Sequence, residues 1–145
     1  MLADAAIVAD GKLFIHGGGW DNMFVAAVPS VHPSLAVVLV IEVQWSETHV
    51  ERTLEISLYD EDDQPVGVSA FGNFNVGHPP GVTHGSPIVQ PLALTFPGIT
   101  FQKVGQYHFQ VKVSDEELER IRFGVRMAPQ FPQPPPASQI PRSPF

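Results

Sequence analysis

The chain has 145 residues, 43% of them hydrophobic, with no cysteine and a formal net charge of −7. That length suits one domain plus an appendage and buries enough surface to fold without a metal or a disulfide. The missing cysteines exclude a disulfide framework, a thiolate zinc site and a cysteine nucleophile. The acidic balance argues against nucleic acid and anionic membrane as partners, because phosphates are met by Lys and Arg.

The first predicted element is a hairpin. Asp10-Gly11 stands between two apolar runs, and such a pair supplies the positive φ angles that a type I′ turn needs. Ala5 to Val8 runs in and Lys12 to His16 runs back. Gly17-Gly18-Gly19 follows. A phosphate-cradling loop would need a helix start and a basic residue behind it. Trp20-Asp21-Asn22-Met23-Phe24 offers neither, so the glycines read as a bulge or sheet-crossing turn. Trp20 is large enough to plug the end of a core if its N–H finds a partner.

After a connector holding Pro29 and Pro33, Leu35 to Val43 is apolar on both faces and reads as a central strand. Gln44 to Thr48 turns the chain. Val50, Arg52, Leu54, Ile56 and Leu58 then alternate with polar residues, the pattern of a half-buried strand. Asp60-Glu61-Asp62-Asp63-Gln64-Pro65 closes it as a turn, and Val66, Val68 and Ala70 line the return. A loop rich in Gly, Pro and His spans Val76 to Pro87. Leu92, Leu94 and Phe96 form a strand that Pro97-Gly98 is expected to break. Tyr107, Phe109, Val111 and Val113 make a clean amphipathic strand, with a helical turn capped by Ser114 expected next. Ile121, Phe123, Val125 and Met127 make the last one. The whole is all-β, an immunoglobulin-like β-sandwich of about seven or eight antiparallel strands over residues 1–127. Residues 128–145 form a Pro-rich tail that cannot join a sheet ladder and is expected to be extended or disordered.

Leu2-Ala3-Asp4-Ala5-Ala6-Ile7-Val8-Ala9-Asp10-Gly11-Lys12-Leu13 with Gly17-Gly18-Gly19-Trp20 resembles the opening of a family of small, mainly actinobacterial proteins known as a domain of unknown function. Pro33-Ser34-Leu35-Ala36-Val37, Gly77-His78-Pro79-Pro80-Gly81 and Gly105-Gln106-Tyr107-His108-Phe109 are similar to it as well. The resemblance spans residues 2 to 128 and implies a fold, with no activity and no site residues to carry over. His16 and the Pro-rich tail depart from it.

No reaction is legible. Asp60 and Asp62 in the acidic turn are the carboxylates nearest to a calcium loop, but the EF-hand spacing and its glycine are missing, so a solvated turn is the better reading. His78 and His84 share one loop, without the further ligands a zinc site wants at motif spacing. No nucleophile elbow or triad can be assembled. Tyr107 is placed for the corner contact of sandwiches, its hydroxyl tied to a nearby carbonyl. Arg120, Arg122 and Arg126 share a strand face and are expected to pair with Glu51 and Glu55 across strands. The sequence thus points to a non-enzymatic module acting by protein–protein contact, as a homo-oligomer or accessory subunit, without a cofactor. No signal peptide or membrane span is apparent, so the cytoplasm is expected. Phe131, Ile140 and Phe145 are the apolar hooks with which the tail would dock; a solvated tail is the other reading. The alternative function is a small-ligand or metal-binding enzyme using the His78/His84 loop.

Overall fold

A computed structural model describes residues 1–132. Nine strands form two sheets: β1 (Leu2–Ala9), β2 (Lys12–Gly18), β3 (Asn22–Val25), β4 (Ser30–Val43), β5 (Arg52–Asp60), β6 (Pro65–Phe74), β7 (Ile88–Phe101), β8 (Gly105–Val113) and β9 (Glu116–Met127). One sheet has the order β2-β1-β4-β7 and the other β3-β9-β8-β5-β6. A single 3-10 turn, Trp45–Glu47, links β4 to β5, and there is no α-helix among the described residues.

The core lies between the sheets. Leu35, Val37, Leu39, Phe96, Ile99 and Phe101 from one face Leu54, Ile56, Leu58, Tyr107, Phe109, Val111, Phe123 and Val125 from the other. Leu92, Leu94 and Ile121 pack against the same cluster. The phase read from the alternation is therefore the real one in β5, β8 and most of β9. The Tyr107 hydroxyl donates to the Lys103 carbonyl at 2.7 Å, the corner contact expected of it. Burial of the phenol raises its pKa despite that bond.

β4 is buried on both faces for an unexpected reason. Asp10 (φ 50°) and Gly11 (φ 70°) form the tight turn joining Ala9 to Lys12. β1 is registered against β4 at Leu2 and Ala3. β1 nevertheless also contacts β7, two places along in the sheet, and the turn at Gly11 lies beside Val89–Pro91. The hairpin thus folds across the outer face of β4. There Ala3, Ala6, Ala36 and Val38 make a second apolar cluster, which Leu13 and Ala93 join.

Several expectations are corrected. The sheets are not wholly antiparallel: β3 runs parallel to β9, Met23 opposite Val125. Four residues are too few to display a period, which hid this ninth strand. Pro97-Gly98 does not end β7, which continues to Phe101. Pairing with β4 keeps its register past that point, Leu35 with Phe96 and His32 with Ile99. Gly98 adopts φ 62°, so the strand bends and changes phase, sending Ile99 and Phe101 inward. No helical turn follows Ser114. Ser114 (φ 48°) and Asp115 (φ 66°) make a two-residue hairpin turn, because β8 pairs with β9 directly from Val113 and Glu116. Val50 precedes β5 and Met127 is exposed. The Trp20 indole packs edge-on to Phe123 and His32, but its buried N–H has no hydrogen-bond partner among the described residues.

Candidate functional site

The acidic turn is held by its own backbone. Asp60 ends β5 with its side chain buried; Oδ1 accepts the N–H groups of Asp62 (2.9 Å) and Gln64 (3.0 Å). Oδ2 meets Lys103 Nζ at 3.2 Å, and Lys103 also reaches Asp62 at 3.5 Å. The Gln64 amide above all holds the Asp60 carboxyl below the usual carboxylate range, and the Asp60 contact raises the Lys103 ammonium. A lysine of this chain therefore occupies the place where a cation would sit.

The arginine face is also reassigned. β8 lies between β9 and β5, so Glu51 and Glu55 are out of cross-strand reach of the arginines. Arg120 pairs instead with Glu117 on its own strand and with Asp63 at 3.4 Å. The same Asp63 oxygen lies 3.4 Å from His108 Nε2, and the imidazole stacks on Tyr59 with centroids 5.5 Å apart. Burial first, then Arg120, holds His108 below the usual imidazole range, with Asp63 acting the other way.

The His loop joins His78 and His84 through a residue that sequence reasoning left out. Trp45 stacks on His78 (3.6 Å, 9°) and lies 4.7 Å from His84. His49 meets His78 edge-on at 4.6 Å. Thr48 Oγ1 donates to the Trp45 carbonyl at 2.7 Å and lies 2.6 Å from His78 Nε2. A hydroxyl has one proton to give, so Nε2 carries the hydrogen that completes this pair. Val76 and Val82 anchor the loop against Val43 and Ile88. Among the described residues no group of three or more His, Asp or Glu side chains is placed to hold a metal ion. No local sequence signal announces this clasp, since Trp45 stands 33 positions from His78 in the chain.

What remains is the surface at the sheet edges. The geometry of the Asp10-Gly11 turn decides which groups of β2 face outward. A two-residue hairpin makes Ala9 and Lys12 a hydrogen-bonded pair, so Lys12, Phe14 and His16 bond to β1, while Leu13 and Ile15 turn their N–H and C=O to the outer edge. Ile7 and Phe14 are paired across the hairpin and are 62% and 50% exposed, with Ile15 at 38%. On the opposite edge of the same sheet, Val38 exchanges backbone bonds with Met1, so alternate β4 residues point toward β1. Pro91 and Pro97, opposite Val40 and Ser34, therefore lose no ladder bond and leave the outer side of β7 without donors there. β3 is four residues long, and β6 opens on Pro65 and carries a bulge in its pairing with β5. β2 has none of these protections between Lys12 and His16. Phe131 is 83% exposed. Ile140 and Phe145 lie outside the described residues.

A family of unknown function, DUF6941, matches residues 1–126. The chain belongs to that family. No curated protein and no solved structure matches the chain. The DUF6941 span takes in the β2 edge, the Trp45–His78 clasp and the acidic turn, and it stops one residue before the end of β9. Phe131 falls beyond it. No helix among the described residues is long and apolar enough to cross a membrane.

Proposed function

We propose that this chain is a non-enzymatic β-sandwich protein of the immunoglobulin-like kind, acting through protein–protein contact in the cytoplasm as a structural or accessory subunit of an assembly. The observation that carries the reading is the β1–β2 hairpin. It contributes little to the main core, yet it holds out a strand edge with unpaired backbone groups and an exposed Ile7–Phe14 pair. Edges of this kind add a strand from another chain, main-chain bonds giving affinity and alternate side chains specificity. The polar clusters support it from the other side, because Asp60, Lys103, Glu117 and Arg120 are committed to one another within the fold. The Pro-rich tail is a second arm in this reading, with Phe131 as its first hook.

The test compares the full chain with Phe14→Glu and with a chain stopped at Met127, by light scattering and by recovery of partners from the host. Unchanged melting with lost association is the expected result. A monomer that recovers no partner in any form of the experiment overturns the proposal. The second reading, a small-ligand or metal-binding enzyme at the His78/His84 loop, has one observation in its favour: Trp45 contacts His78 and His84, and His49 meets His78 edge-on. Zinc binding by calorimetry, lost on His78→Ala, would carry it.

A further inference from the structure

We infer that the partner taken by the β2 edge is a second copy of this chain, its β2 paired antiparallel to the first about a two-fold axis through Ile15. This rests on the contact function proposed above and names the occupant of the same surface. A two-fold axis requires a patch that complements itself, and β2 meets that requirement in backbone, side chains and charge.

The backbone condition is met by Leu13 and Ile15, whose outward N–H and C=O groups follow from the two-residue turn. Centring the pair on Ile15 sets each Ile15 against its counterpart and Phe14 against His16 of the other copy, with Leu13 beside Gly17, whose φ of 58° ends the regular ladder. Phe14 against His16 is an aromatic cross-strand pair, and Ile7 extends its apolar surface on each side. At the ends, Lys12 falls opposite Gly18 of the other copy. The Asp4 carboxylate lies directly over neighbouring Gly17, where an added Cβ would collide with it. In this arrangement each Lys12 is directed at Asp4 of the other copy across the side-chain-free Gly17-Gly18 segment, twice by symmetry. Lys12 is the only Lys or Arg of the hairpin. A parallel arrangement would instead bring the two lysines together, which like charges on adjacent strands resist.

The charge pair gives the experiment its sharpest form. Full-length chain is expected to be a dimer by light scattering. Lys12→Glu places two acidic pairs across the axis, and Asp4→Lys two basic pairs, so each variant alone is expected to be monomeric with melting close to the parent. Mixing the two variants restores both attractions, and a one-to-one heterodimer is expected. Ile15→Lys, which no charge partner can rescue, controls for a fold disturbed at Asp4. Parent protein that stays monomeric at every concentration, single variants that remain dimers, or a mixture that fails to associate each overturn the proposal. A monomeric parent whose Phe14→Glu form loses a heterologous partner overturns the dimer and leaves the contact function standing. A monomeric parent without any partner overturns both.

Discussion

The two edges of the four-stranded sheet make an instructive pair. β7 puts Phe96, Ile99 and Phe101 into the core, while β2 reaches only the satellite cluster, through Leu13. β7 carries Pro91 and Pro97 at positions whose nitrogens face outward, so its outer side lacks donors where a foreign strand would need them. β2 keeps its donors and exposes Phe14 and Ile15. The edge that holds the core is chemically closed, and the edge that holds little of it is left open. Stability and association are thereby placed on opposite margins of one sheet.

The largest effect that separates the margins is a core truncation on the β7 side. Phe101→Ala is expected to lower unfolding free energy by about 3–5 kcal/mol in chemical denaturation, the range for emptying an aromatic core site. Phe109→Ala and Phe123→Ala, which pack in the same aromatic group, belong in that range too. A loss below about 1 kcal/mol at all three would mean that the strand phase is wrong. On the β2 side the comparable lever is the turn rather than a side chain. Gly11→Val forces a β-branched residue to φ 70° with nothing near its Cβ, so backbone strain alone sets a cost of about 1–3 kcal/mol. An unchanged melting curve would break the account of the turn.

A smaller effect sharpens the account of the protected side. Pro91→Val returns a donor to the outer edge of β7 and should change stability by no more than about 1 kcal/mol, since the nitrogen faces away from the ladder. Its signature is new concentration-dependent association in light scattering. A variant that behaves like the parent would show that the prolines do not guard the edge. The smallest effect is a pH dependence on the outer face of the five-stranded sheet. His108 is held below the usual imidazole range, so the folded state favours its neutral form. As pH falls below about 6.5 the unfolded chain takes up the proton first, and stability declines until the folded His108 titrates as well. His108→Gln is expected to flatten that decline in melting temperature between neutral and mildly acid pH. An identical slope in the variant would assign the decline to other groups.

Much of the chain was legible because period two is a local signal. Leu54, Ile56 and Leu58, and Tyr107, Phe109, Val111 and Val113, announce their faces by alternation, since successive side chains of a strand point opposite ways. Asp10-Gly11 announces its turn by the backbone angles it permits, and Tyr107 its corner by a hydroxyl four residues from its acceptor. The apolar run Leu35 to Val43 signalled cover on both faces, which holds for Leu35 to Leu39 but not for Val40, exposed on the outer face.

Tertiary structure decided whatever depended on which strands become neighbours. Arg120 could be assigned to Glu51 and Glu55 only while β9 and β5 were free to be adjacent; once β8 lies between them, Asp63 and Glu117 take their place. His78 and His84 acquire Trp45 and His49 as companions because the loop folds onto the end of β4, a contact with no local signature. Four residues from Asn22 to Val25 become a strand because β9 offers them an edge, and β7 survives Pro97-Gly98 because β4 keeps its register alongside. Alternation and turn chemistry are properties of a few consecutive residues and can be read from them. Neighbours distant in the chain are chosen by burial and backbone pairing over the whole fold, which no short window contains.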